Sequence, residues 1–144
     1  MDELRKHATR MFGVCPVETA FLLAVESELG VALPREFTLA CEFFDGSGLI
    51  VMPLHALYHD GALNVIAETQ RLRRGIDLPG QFLVLGEPPA SLLLLDCVSG
   101  QVIWCDAIDA ERVGKTPLLT PPDIWKSYGH FLAYLLEEEA AEDA

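Results

Sequence analysis

Basic residues are scarce in this chain: 10 Lys and Arg stand against 22 Asp and Glu, giving a net charge of −12. Proteins that bind nucleic acid need Lys and Arg to displace counterions from phosphates, so the charge argues against such a partner. Long hydrophobic runs are lacking as well. The four consecutive leucines at 92–95 fall far short of the ~18 apolar residues that span a bilayer; they suit a buried strand, and no membrane association is expected. The first ten residues lack the apolar core of a secretory signal, which reads as a cytoplasmic protein. Cys15, Cys41, Cys97 and Cys105 form no Cys-x-x-Cys pair and no metal-ligand spacing. A disulfide framework is therefore not expected, and Cys41, Cys97 and Cys105, lying within or beside apolar runs, read as small core residues.

What is present is ample apolar material. With 144 residues of which 51% are hydrophobic, one domain with a real core is expected. Five acids, Glu137, Glu138, Glu139, Glu142 and Asp143, lie in the last eight residues, and the rest of the chain still carries −7. The division that follows is a single domain at 1–136 and an acidic, solvated tail at 137–144. An acidic field keeps a protein dispersed, and it also attracts basic proteins and speeds their capture.

Periodicity supplies the elements. Helical spacing is found at 2–12, from near residue 16 to 29 (Phe21, Leu22, Val25, Leu29), at 34–44 (Phe37, Cys41, Phe44), at 61–74 (Leu63, Ile66, Leu72) and at 123–139 (Ile124, Tyr128, Phe131, Leu132, Leu135). Short apolar runs predict strands at 49–52, 82–85, 92–96 and 102–104. The last three form a meander of antiparallel strands. Residues 53–58 suit either a helical turn or a β-edge segment, and 111–122 reads as loop. Helices, then strands, then a helix make an α+β class: N-terminal helices on a small antiparallel sheet, closed by a C-terminal helix.

The most informative stretch runs from Glu26 to Gly48. Gly30 stands where a helix end takes up a left-handed residue, and Pro34 stands where a helix can start. The pattern Glu-x-x-Leu-Gly-x-x-Leu-Pro at 26–34, followed by Asp45-Gly46, resembles the opening motif of the SUKH superfamily of bacterial immunity proteins, Syd and yeast cell-wall regulators. Later features follow in the same order. Phe82-Leu-Val-Leu-Gly86 resembles that family's strand-plus-glycine element, 92–106 its hairpin, and the aromatic-bearing segment from Trp125 to Leu135 its closing helix. The resemblance covers about residues 17–136. It implies a SUKH-like single domain that binds a protein, most often an immunity protein blocking a toxin; it does not imply a catalytic activity, and no cofactor is expected.

Candidate sites each carry a plain alternative. Asp45-Gly46-Ser47-Gly48 is either a helix-to-strand turn or a surface offering N–H groups and a carboxylate to a partner. Trp104 and Asp106 close a strand, with Trp104 either an interface anchor or a core residue. Trp125 reads as core. His55 and His59, with Asp60 adjacent, offer ligand types for a metal, but His55-Ala-Leu-Tyr-His59 lacks the glutamate of a zincin helix, and no metal site is assigned. A Cys–His pair using His130 and Cys41, Cys97 or Cys105 needs an electropositive, partly exposed thiol, which apolar runs in an acidic chain do not provide. Arg71, Arg73 and Arg74 either clamp an anion or complement a helix C-terminus. The expected function is non-enzymatic: an immunity protein that neutralises a basic toxin domain, such as a nuclease, by stoichiometric binding. The alternative is a regulatory or scaffolding module of the same fold. The partner-binding residues expected are Asp45, Gly46, Ser47, Gly48, Trp104 and Asp106.

Overall fold

Three leucine- and valine-rich runs set the centre of the molecule. In the computed structural model, which describes residues 1–59 and 63–143, they become β1 (Phe82–Gly86), β2 (Ser91–Asp96) and β3 (Val102–Asp106). A short β4 (Asp123–Trp125) completes an antiparallel sheet in the order β1-β2-β3-β4. Leu94 pairs with Val84 and Ile103, and Leu95 with Leu83 and Val102, while a bulge near Leu85 shifts the register so that Gly86 faces Leu93.

The four leucines of β2 are all buried because the sheet is covered on both faces. Leu93 and Leu95 meet a large core with Val25, Phe37, Phe44, Phe131, Leu132 and Leu135, whereas Leu92 and Leu94 meet a smaller one with Leu72, Leu78, Val84, Cys105 and Val113. A strand buried on both sides loses its polar alternation, which is why this run reads as continuous leucine.

The large core is supplied by α1 (Asp2–Phe12), α2 (Thr19–Leu29), α3 (Arg35–Ala40) and the closing α5 (Tyr128–Asp143). The fold is thus α+β, with N-terminal helices and a C-terminal helix around one sheet. The Glu26–Pro34 motif has a local cause. Gly30 ends α2 at φ 66°, its N–H donating to the Glu26 carbonyl, and the Glu26 carboxylate accepts the Leu33 N–H at 2.9 Å. The side chain that begins the motif therefore fastens its corner.

The last helix before the sheet, α4 (Val65–Ile76), lies against β1. Asn64 caps it, accepting from the Ala67 N–H at 2.9 Å. Within α4, Thr69 is fully buried and its hydroxyl accepts the Val84 N–H of β1 at 2.9 Å. A sheet edge is thereby closed by a helix side chain.

Four expectations on boundaries need correction. Residues 49–52 form bends, not a strand; their backbone is held by a distant side chain described below. Residues 123–125 pair with β3, so α5 begins only at Tyr128, capped by Ser127, whose hydroxyl accepts the His130 N–H at 3.3 Å. Helix α2 starts at Thr19 and α3 stops at Ala40, because Val17 and Cys15 donate across to the carbonyls of Cys41 and Phe43. The start expected at Gly61 lies outside the described residues, and α4 is described from Val65. The acidic stretch at 137–144 is helical through Asp143, and Glu139 within it is 2% exposed; Ala144 lies outside the described residues. Glu137, Glu138 and Glu142 are exposed, whereas Glu139 is a buried carboxylate that accepts two backbone N–H groups.

Candidate binding face

The segment at 45–59 crosses the molecule without regular secondary structure apart from one bridging residue, and individual bonds position it. The Asp45 carboxylate accepts the Ser47 N–H at 2.9 Å and the Ser47 hydroxyl at 2.6 Å, closing the Asp-Gly-Ser turn. Gly48 has φ 85°, and an added Cβ would lie 2.9 Å from the Phe12 ring. Farther on, Glu139 of α5 accepts from the N–H groups of Ile50 and Val51 at 2.5 and 2.6 Å. The segment then reaches the sheet, where the His55 N–H donates to the Leu85 carbonyl at 2.8 Å. This approach is close: the Pro53 carbonyl lies 3.3 Å from where a Cβ on Gly86 would sit. Ala56 next forms a parallel bridge with Asn64, and the ring of His59 packs edge-on against Phe21 of α2 at 4.9 Å.

A charged cluster forms where this segment meets β1 and α4. The Arg71 guanidinium donates through Nε to Glu68 at 3.0 Å and through Nη2 to both oxygens of Glu87 at 2.6 Å. His55 Nε2 lies 3.1 Å from Glu87 Oε2. Partial burial pushes the Glu87 carboxyl up, but the hydrogen bond and charge of Arg71, aided by His55, outweigh it and hold the group below the ordinary carboxylate range. Arg71 is correspondingly held above its ordinary value by Glu87. Metal-ligating atoms of His55, Glu68 and Glu87 lie within 4.8 Å of one another. The cation that serves these two carboxylates is Arg71, in a geometry typical of an arginine-bridged structural pair.

Two clefts flank Tyr58. One, of about 390 Å³, is lined by Asp45, Ser47, Leu54, His55, Leu63 and Glu87. The other, of about 610 Å³, is lined by Val17, Glu18, Phe21, Asp45, Leu57 and His59. Asp45 and Tyr58 line both. Among the described residues lining these clefts the charged side chains are all carboxylates. The surroundings also expose apolar surface: Tyr58 is 40% and Leu63 66% exposed, and Ile50 in the same segment is 72% exposed.

The expected site residues divide. Asp45, Gly46 and Ser47 line the smaller cleft. Gly48 has a packing role beneath Phe12. Trp104 is half-buried against the large core opposite Leu93, and the Asp106 carboxylate accepts the Ile108 N–H at 3.0 Å, capping a 3-10 turn at Ala107–Asp109. Trp104 and Asp106 therefore belong to the β3 end and are not among the residues lining the clefts. Trp125 packs against Phe131 and Tyr134. His55 and His59 do not form a ligand pair: one bonds to Glu87 and the other packs on Phe21. Asp60 lies outside the described residues. The sequence reading missed Glu18, Tyr58, Glu87 and Glu139, which lie far apart in the chain and follow no shared spacing.

The surroundings of the cysteines disfavour the thiolate form. The four cysteines are free, and burial pushes Cys41 up to about 12 and Cys97 and Cys105 up to about 11, with nearby carboxylates adding to the effect. His130 Nδ1 lies 2.8 Å from the Ser127 hydroxyl at the start of α5. Arg73 donates to the Gly80 carbonyl at 2.8 Å, so two members of the basic cluster hold the fold. Among the described residues no helix is long and apolar enough to cross a membrane.

No protein-family model matches the chain, and no curated protein matches it. Among solved structures, the crystal structure of a protein from Pseudomonas syringae pv. tomato is similar, with a TM-score of 0.64 and 16% identity, covering 95% of this chain and 99% of that one. At that identity the similarity concerns the fold alone.

Proposed function

We propose that this chain is a SUKH-like, non-enzymatic binding domain of the cytoplasm, and that it acts as an immunity protein neutralising a basic toxin domain by stoichiometric occlusion. The observation that carries this reading is the face around Tyr58, where carboxylates and exposed apolar side chains adjoin in a chain of net charge −12. Apolar groups left in water beside clefts are a usual mark of an interaction surface, and a surplus of one charge sign selects and steers a partner of the other. The high thiol pKa values of Cys41, Cys97 and Cys105 favour binding over thiol catalysis. The ordered motif resemblance at 17–136 points the same way.

Affinity capture from the native host, followed by mass spectrometry, tests the proposal. The expected result is a basic protein recovered in equal molar amount, whose toxicity disappears when this chain is supplied. Failure to recover a protein partner, with the neighbouring genes also encoding no toxin, would contradict it. A partner without toxicity would favour the regulatory or scaffolding reading of the same fold.

A further inference from the structure

We propose that His55, Glu68 and Glu87 form a binding site for one Zn²⁺ ion, and that the Arg71 side chain competes with the ion for the same two carboxylates. The inference goes beyond the protein-binding function above and does not depend on it.

The sequence sets His55 near His59, but the fold gives it other company. His55 comes from the segment at 45–59, Glu68 from α4 and Glu87 from the connection after β1. One ligand atom from each lies within 4.8 Å of the others. Around a tetrahedral ion with bonds near 2.0–2.1 Å, ligand atoms stand about 3.4 Å apart, so the three close on an ion when each moves by roughly 1 Å. Two of them are placed in advance. The side chains of His55 and Glu68 are about nine-tenths buried, and the His55 backbone is tied to β1 by its bond to the Leu85 carbonyl. The imidazole is thereby aimed at Glu87, with Nε2 3.1 Å from Oε2. His55 and Glu87 also line the cleft of about 390 Å³ beside Tyr58, which gives an ion its entry and leaves a fourth position for water. One imidazole and two carboxylates make a mixed nitrogen and oxygen set, which suits Zn²⁺ better than the all-oxygen ions Mg²⁺ and Ca²⁺. The ring binds through Nε2 as the neutral tautomer protonated on Nδ1.

Arg71 is the replaceable cation. Its guanidinium bridges Glu68 and Glu87, yet its side chain is half exposed. It can swing into water while an ion with two charges neutralises both carboxylates. A solvent-screened pair is worth little, whereas an ion held by three side chains stabilises whatever state presents them together. Bound there, the ion joins the segment at 45–59 to α4 and β1, at a place where single bonds otherwise hold it.

The test is calorimetric titration of Zn²⁺ into the full chain after chelator treatment, with Co²⁺ absorption reporting the ligands and thermal unfolding reporting the fold. One ion per chain is expected, together with a raised Tm and slower hydrogen exchange at the amides of His55 and Ala56. Removing the competitor in R71Q should tighten binding roughly fivefold, the factor an exposed ion pair is worth. E87Q removes a ligand from a surface connection, so the fold should survive while binding weakens by roughly a hundredfold or more. Opposite shifts from two neighbours in one cluster are the signature, because general attraction to an acidic surface would not single out Glu87. Failure of the parent chain to bind Zn²⁺ would overturn the inference, even if R71Q binds it, since Arg71 would then hold the site closed. So would E87Q binding as tightly as the parent, or a thiolate charge-transfer band with Co²⁺, which would place the ion on a cysteine. Partner capture in metal-free buffer is a separate readout, so this inference and the binding function fail independently.

Discussion

The sheet and the segment at 45–59 are built on opposite principles. In the sheet, position follows from ladders: β1, β2 and β3 pair with their neighbours along their length, with one bulge near Leu85, and buried leucines and valines fill both faces. The segment at 45–59 has one bridge and a handful of single bonds, two of them reaching from Ile50 and Val51 to Glu139, 89 and 88 positions away in the chain. Such a segment is stabilised by few contacts, each of which matters. The same device recurs at Asp109, fully buried, whose carboxylate accepts the N–H groups of Leu119 and Thr120 at 2.8 and 3.0 Å and fixes the long connection before β4. In both places a buried carboxylate takes up two consecutive backbone donors where no strand or helix partner exists.

Breaking the sheet should have the largest effect. Leu94→Ala opens a cavity between β1 and β3 in the smaller core and should cost about 2–5 kcal/mol, read as a lower urea midpoint across all probes because the ladder unfolds cooperatively. Next comes Glu139→Ala, which leaves the Ile50 and Val51 donors unpaired. A loss of about 2–4 kcal/mol is expected, with hydrogen exchange accelerating first at 50–51 while β2 amides stay protected. Glu139→Gln restores an uncharged acceptor and should recover part of the loss. Equal acceleration in β2 would show that segment and sheet are one cooperative unit, and the contrast between them would fall.

Smaller effects sharpen the comparison at the seam between the two regions. Arg71→Gln should cost below about 1 kcal/mol, because the guanidinium is half exposed and screened. Glu87 gives the pH dependence. Its folded carboxyl lies below the ordinary value of about 4.3, so its contribution is present above that range and is lost as pH falls through its lowered value. In Glu87→Gln the acid side of the stability profile should accordingly flatten. Alkylation is a further check: Cys41, Cys97 and Cys105 should label slowly at neutral pH and faster as pH rises toward 11. Rapid labelling of any of them at neutral pH would reopen the thiol reading.

Legibility in the sequence follows the same divide. The meander was readable because period and burial are local properties, and the leucine run at 92–95 can be little else. The Glu26–Pro34 corner was readable because Gly30 and Pro34 act on their own backbone. The strand at 123–125 was not, since Ile124 and Trp125 fit a helical stripe equally well and only pairing with Val102 and Ile103 decides the matter. Glu139 was read as solvated because nothing nearby reveals that Ile50 and Val51 lie beneath it. The candidate face was half visible: Asp45–Ser47 stood out as a turn, whereas Tyr58, Glu18 and Glu87 come together only through the tertiary fold. Trp104 and Asp106 draw attention by residue type; the structure places Trp104 half-buried against the large core and Asp106 as the cap of a 3-10 turn.

The central claim is that this chain acts by occupying a partner and not by turning over a substrate. Titration of the captured partner with the purified chain, scoring the fraction of partner activity that remains, tests it most directly. The account predicts a linear loss that ends at one chain per partner. Complete inactivation by a small substoichiometric amount, progressing with time, would instead reveal catalysis and contradict the account.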